Sequence, residues 1–263
     1  MLTIDQLDPR ALASVQGVLT DIDDTLSTSG KLTAEAFDAL WRLADARVGV
    51  VVVTGRPAGW CDHMARFWPV DAVVGENGGF YFHHDGRKLV RRFLYDEAAR
   101  AGFRERLAAV RDQILREVRG TAAASDQAYR EYDVAIDFCE DVAPLERGDV
   151  LRVAQMFEAA GAHAKISSIH VNGWYGDFDK LTTTRLCLEE LFGVVGDAAK
   201  AGYVYCGDSP NDEAMFEYFP LSIGMANVAD FLDVMTTGPT YVTRRRCGAG
   251  FCEVVERVLA ARG

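Results

Sequence analysis

The pattern of apolar and polar positions changes character along the chain. Residues 17–20 form a short apolar run that ends in a cluster of carboxylates. From Ala34 to Ala46, Phe37, Leu40, Trp41 and Ala44 recur on one helical face. Residues 48–53 are a β-branched run, five valines with a single glycine at 49, the mark of a parallel strand buried on both sides. A helix over 59–67 and a short strand over 72–74 complete an alternating start of the doubly wound kind.

The texture then shifts. Runs at 80–83 and 88–93 flank Asp85-Gly86, a hairpin signal. A long helix is predicted over 97–118, a strand over 129–138 with Tyr132, Val134, Ile136 and Phe138 alternating, and a helix over 145–160 that stops at Gly161. Residues 162–174 read as one or two further strands. Doubly wound texture returns with helices at 181–192, 213–218 and 251–261, and strands at 203–206, 221–224 and 240–243. The expected architecture is α/β: a doubly wound, Rossmann-like parallel sheet formed by residues 1–83 and 175–263, interrupted by an inserted α+β unit over residues 84–174.

Composition narrows the class. Of 263 residues, 49% are hydrophobic and 25% charged, enough for a sizeable core. The net charge of -11 argues against broad binding to nucleic acid or to anionic membrane, though a local cation can still draw an anionic substrate. Residues 1–5 hold no basic region followed by an apolar run, so a secretory signal is not expected, and the run at 48–53 is too short to span a bilayer. Six scattered cysteines without a CxxC pair suggest reduced thiols and a cytoplasmic protein.

Four segments carry candidate chemistry, each at the exit of a predicted strand or the start of a helix. In open α/β sheets the ligand crevice lies beyond the carboxyl ends of the strands, so they can meet in space. Asp21-Ile22-Asp23-Asp24-Thr25 packs three carboxylates into four residues, which repel unless a cation holds them. Thr54-Gly55-Arg56 offers a hydroxyl and exposed amides suited to a phosphoryl group. Lys180 stands at a helix start, where the macrodipole disfavours a cation. Gly207-Asp208-Ser209-Pro210-Asn211-Asp212 brings two more carboxylates. Taken singly, each is equally readable as a turn, a cap or a surface charge.

Together, in this order, they resemble the haloacid dehalogenase superfamily of phosphatases. D-x-D-x-T matches Asp21, Asp23 and Thr25; the second and third motifs match Thr54 and Lys180; G-D-x-x-N-D matches Gly207 to Asp212. Gly75-Glu76-Asn77-Gly78-Gly79 resembles the segment leading into the large α+β (type IIB) cap of the sugar-phosphate phosphatases and Cof-like hydrolases. The resemblance implies that Asp21 attacks phosphorus and that Asp23 moves protons, with a pKa raised by its carboxylate neighbours. It implies Mg²⁺ held by Asp21, the Asp23 backbone carbonyl and Asp208, with Asp212 holding a bound water or orienting Lys180. Thr54, Gly55, Lys180 and Asn211 would stabilise the phosphoryl oxygens. Asp24 receives no role.

The expected partner is a small phosphorylated metabolite, in particular a sugar phosphate, with the cap selecting it. His170, Asn172 and Trp174 alternate on one strand face able to bind sugar hydroxyls, with Arg130 and Tyr132 as a second pair. The alternative is a phosphomutase of the phosphomannomutase type, because Gly176-Asp177-Phe178-Asp179-Lys180 also resembles its lysine loop; Arg91, Arg92 and Arg130 would then supply a second phosphate site. A regulator that binds without turnover is disfavoured by the intact set of Asp21, Asp23, Lys180 and Asp208.

Overall fold

The computed structural model describes residues 1–262. In chain order the strands are β1 (Leu2–Thr3), β2 (Gly17–Thr20), β3 (Gly49–Val53), β4 (Ala72–Gly75), β5 (Phe80–His84) and β6 (Leu89–Phe93). Then come β7 (Ala122–Ala123), β8 (Val134–Asp137), β9 (His163–Ile166) and β10 (His170–Trp174), followed by β11 (Tyr203–Gly207), β12 (Ser222–Gly224) and β13 (Tyr241–Val242).

The large sheet has the order β1-β13-β12-β11-β2-β3-β4-β5-β6. Its strands run parallel from β1 to β4, and β5 and β6 close the edge antiparallel. Neighbouring residues on a strand serve opposite faces. Val18 and Val50 pack with Leu40, Leu43, Phe251 and Val255, from helices Ala34–Asp45 and Cys247–Ala260. Leu19 and Val51 pack on the other side with Leu188 and Phe216, from helices Lys180–Phe192 and Glu213–Tyr218. Burial on both faces is why these strands read as continuous apolar runs.

The second sheet, β7-β8-β10-β9, is antiparallel. Helices Glu97–Glu117 and Arg147–Ala159 cover one face, where Leu107, Ile114, Val153 and Phe157 meet Val134, Ile136 and Val171. The opposite face turns toward the large sheet.

Two expectations are corrected. The inserted unit does not take the hairpin with it: β6 pairs with β5, and β5 with β4, so residues through Phe93 belong to the large sheet. Phe80, Phe82 and Phe93 pack there with Cys61, Met64 and Val73, and this apolar cluster holds the hairpin. The strand expected over 129–138 is only Val134–Asp137, and Gln127–Tyr129 is a 3₁₀ turn. The reason lies in the core. The Glu76 carboxylate accepts the amides of Glu131, Tyr132 and Asp133 at 2.6–3.2 Å, so these residues have no strand partner to pair with. The same carboxylate accepts the Ala58 amide, tying the helix Ala58–Phe67 to the inserted unit. Among the described residues no helix is long and apolar enough to cross a membrane.

Candidate active site

β2, β3 and β11 lie side by side in parallel register, Thr20 opposite Val52 on one side and Cys206 on the other. The segments that follow them therefore leave the sheet at one level. The Asp21 amide still donates to the Cys206 carbonyl at 2.9 Å, and the Thr54 amide to Val74 at 2.9 Å, so both residues start from fixed backbone. Lys180 reaches them from the first position of its helix, whose N-cap Asp179 accepts the Thr182 amide at 2.6 Å. Gly78, at φ +110°, lets the chain pass against the Asp179 carbonyl, where a Cβ would overlap it.

Lys180 Nζ lies 2.9 Å from Asp21 Oδ1 and 2.7 Å from Asp212 Oδ1. Asp212 is fully engaged: Tyr205 also donates to its Oδ1, and its Oδ2 accepts the amides of Asp208 and Ser209. Asp208 Oδ1 accepts from Thr25 at 2.9 Å and Oδ2 from Asn227 at 3.0 Å. Oxygens of Asp21, Asp208 and Asp212 lie within 4.8 Å of one another, all buried.

These charges strain one another. Burial pushes the Asp21 carboxyl up to about 7 against the pull of Lys180, with Asp212 and Asp23 adding to the rise. Burial, then Asp21 and Asp212, drives Asp208 well above the usual carboxylate range. Burial works against the Lys180 ammonium, yet Asp21 and Asp212 carry its pKa above the ordinary value. Three buried carboxylates face one lysine, and a divalent cation held by oxygen ligands suits that surplus of negative charge.

The expected phosphate-binding residues are gathered nearby. Thr54 is fully buried, and its hydroxyl oxygen accepts the Arg56 amide at 3.0 Å, leaving the hydroxyl hydrogen to donate. Asn211 accepts from Ser209 through Oδ1 at 2.9 Å, leaving its NH₂ as a donor.

Asp23 sits in a different setting from the one expected. It was to be flanked by carboxylates, but its two oxygens are gripped by Arg56, with Nε at 3.1 and 2.9 Å and Nη2 at 2.8 Å. The same guanidinium reaches Glu140 at 2.7 Å and Asp126 at 3.4 Å, both from the inserted unit, and stacks 4.5 Å from the Trp60 ring.

Much of the expected cap face is engaged elsewhere. Asn172 donates to Asp133 at 2.7 Å. Arg130 is paired with Asp133 and Asp126 and donates to the Gly55 carbonyl at 2.9 Å. Trp174 donates to the Phe178 carbonyl and packs among aromatic rings. On β10, Asn172 and Trp174 share a side, as the alternation required, but both are buried and bonded within the protein rather than open to a ligand. His170 is buried as well, with Nε2 2.9 Å from Glu140. Tyr132 is likewise buried and donates to the Tyr95 carbonyl. Arg91 and Arg92 lie out on β6, paired with Asp62 and Glu190, and with Arg130 they form no second phosphate site.

Sequence reasoning passed over four residues that shape this region. Asn227 follows β12 and bonds both Asp208 and the Asp24 carbonyl; the strand-exit rule used for the other segments was the signal for it. Arg56 stood inside a quoted segment without a role. Glu76 was read only as part of the segment leading into the inserted unit, and Glu140 gave no local signal, because the partners that define them, Tyr132 and Arg56, lie 56 and 84 residues away.

A nine-stranded, largely parallel sheet with carboxylates converging at its strand exits, and a second α+β unit docked over them, is the plan of an open α/β fold with its ligand crevice at the strand ends. The sequence model of the haloacid dehalogenase-like hydrolase family matches residues 18–101. A phosphoglycolate phosphatase of Methanobrevibacter smithii is 24% identical over 250 residues, covering 93% of this chain and 98% of that protein. Among solved structures, Thermoplasma acidophilum 0175 matches with a TM-score of 0.69 at 18% identity, over 93% of this chain and 98% of that one. The sucrose-phosphatase of Synechocystis sp. PCC6803, solved with sucrose and phosphate, matches at 0.63 and 15% identity, over 93% and 98%. The chain is thus similar to haloacid dehalogenase-like hydrolases over residues 18–101 and to a phosphatase over nearly its whole length, and the comparisons support an enzyme of the phosphatase type.

Proposed function

We propose that this enzyme is a Mg²⁺-dependent phosphatase of small phosphorylated metabolites, sugar phosphates in particular, working through an aspartyl-phosphate on Asp21. The observation that carries the reading is the placement of Asp21. One of its oxygens is held by Lys180, and among the described residues the other accepts no hydrogen bond, so it is free to meet phosphorus.

The residues present fit a divalent cation. Asp21, Asp208 and the Asp23 carbonyl would hold it, while Asp212, whose oxygens are all engaged, fixes Lys180 and the Asp208 loop. When bound, the cation supplies charge neutralisation for the phosphoryl oxygens. Lys180, Thr54, the Gly55 amide and Asn211 are donors for the same oxygens. Asp23 is the proton-moving group: it gives a proton to the departing alkoxide and takes one from the water that follows. Residues 94–174 act as the cap, anchored through Glu76. The sugar-phosphate preference draws on the solved sucrose-phosphatase sharing the fold.

The test is phosphate release from a panel of phosphorylated sugars and related metabolites with Mg²⁺, comparing the parent with Asp21→Asn. The variant should lose about 10⁴-fold in kcat while keeping its fold, since removing an attacking group abolishes the covalent route. Equal hydrolysis by both proteins would sink the assignment of the nucleophile, and turnover persisting in excess chelator would sink the metal.

A further inference from the structure

Between the floor and the cap lies a cavity of about 270 Å³, lined in part by Asp23, Asp24, Ser27, Arg56, Cys139 and Glu140. It is where the non-phosphoryl part of a substrate attached at Asp21 must sit, because Asp23 and Asp24 belong to the same loop as the nucleophile. Its charged lining is three carboxylates and one guanidinium.

That guanidinium has nothing left to offer. Arg56 gives Nε to Asp23, Nη2 to Asp23 and Glu140, and Nη1 to Asp126 and Glu140. It is 4% exposed, so little of it is open to a ligand. Glu140 is aimed into the cavity by a built turn. The Asp137 carboxylate accepts the amides of Cys139, Glu140 and Asp141 at 2.8–2.9 Å, fixing the loop after β8. His170 at 2.9 Å steadies the far oxygen of Glu140. Asp24 adds a carboxylate from the core side, its backbone held at φ +55° by the Ser27 hydroxyl on its amide and Asn227 on its carbonyl.

We propose that Glu140, acting through Arg56, is the residue that selects substrates by the charge of the leaving group. The site takes phosphomonoesters of neutral, hydroxyl-bearing alcohols and rejects those whose alcohol carries a carboxylate or a second phosphate. This rests on the phosphatase reading above. The phosphoryl group meets Lys180 and its neighbours whatever ester is bound, so that part cancels between substrates. The remainder meets Glu140 and Asp24. A hydroxyl finds acceptors there. An anion finds two like charges and a guanidinium already shared by three carboxylates. At about 5 Å and an effective dielectric near 20, one such repulsion weakens binding by roughly a hundredfold, less whatever Arg56 recovers by rearranging. The same charge balance leaves no cationic second phosphate site of the kind a mutase needs.

The preference therefore opposes that implied by the name of the phosphoglycolate phosphatase relative, whose substrate is an anionic ester.

The experiment uses a matched three-carbon pair, glycerol 3-phosphate and 3-phosphoglycerate, bound to the Asp21→Asn protein with Mg²⁺ and measured by calorimetry, where no turnover is needed. Glycerol 3-phosphate should bind at least tenfold tighter, and adding Glu140→Gln should shrink that ratio about tenfold. Asp141→Asn removes a cap carboxylate that does not line the cavity, and should leave the ratio where it was. Equal or tighter binding of 3-phosphoglycerate overturns the proposal, as does a ratio untouched by Glu140→Gln in a protein whose melting temperature is unchanged. Failure of the parent to hydrolyse either ester, with the binding ratio as expected, overturns the phosphatase reading instead.

Discussion

Lys180 and Arg56 are both buried cations set between carboxylates, yet the two arrangements differ in kind. Lys180 bridges Asp21 and Asp212, all three on the large-sheet unit and all leaving fixed backbone. Arg56 bridges Asp23 from that unit and Glu140 and Asp126 from the cap. The first cluster is rigid because its partners cannot separate without undoing the sheet. The second spans the two units, joined beside it by the Glu76 carboxylate, which grips backbone of the inserted unit rather than side chains. The proposed nucleophile falls in the first cluster, and the proposed proton-moving group, Asp23, falls in the second beside Glu140.

Lys180→Ala should separate the two most sharply. It strands Asp21 and Asp212 in the core, and losing one partner of a buried ion pair costs about 3–5 kcal/mol. Chemical denaturation should show that loss along with near-complete loss of turnover; a fully stable variant would mean the cluster is not the rigid one.

Metal and pH give the next largest effect. The Asp21 carboxyl, near 7 when folded, lies above its unfolded value of about 3.9. Its contribution to stability is therefore fully present below about pH 4 and is lost as pH rises through about 7. The metal-free protein should melt progressively lower across that window. Mg²⁺ at a hundredfold over its Kd should restore about 2.7 kcal/mol at pH 8 and much less at pH 5, where the ligand is protonated. A melting temperature flat with pH in metal-free buffer would contradict this.

Arg56→Lys keeps the charge but loses the fork on Asp23 and the link to Glu140. Bidentate guanidinium pairing is not replaced by an ammonium, so kcat/KM should fall about tenfold to a hundredfold with little change in melting temperature. If Arg56 served stability alone, melting would drop and turnover would not.

The smallest effect belongs to Glu140. Its bond with His170, and then Arg56, holds its carboxyl down to about 2 although burial works the other way. A depressed carboxylate stabilises the fold above its unfolded value of about 4.3 and loses that contribution as pH falls toward 2. Because the group is partly solvated, the loss should be below about 1 kcal/mol. Parent and Glu140→Gln proteins should therefore differ slightly in stability at pH 6 and converge near pH 2.

The core was readable because its signals are local. The valine-rich run from 48 to 53 specifies a strand covered on both faces, and the observed β3 is Gly49–Val53. Asp85-Gly86 specified the hairpin turn, with Gly86 at φ +87° and Asp85 accepting the Arg87 and Lys88 amides. The helix Asp197–Gly202 was missed because six residues bounded by glycines carry too little periodicity to register. In the cap, alternation placed His170, Asn172 and Trp174 on one side but was silent on what that side would face.

The sequence by itself determined the order of elements, the strand exits that carry Asp21, Thr54 and Asp208, and the family these motifs resemble, since each depends on residues adjacent in the chain. Tertiary structure alone decided that Asp23 lies in the grip of Arg56 and that Glu140 arrives from the cap. It also decided that Asn172, Trp174 and Arg130 are consumed in the joint between the units. Those outcomes depend on which charges are brought within a few ångströms by docking one unit on another, and no short-range pattern records that distance.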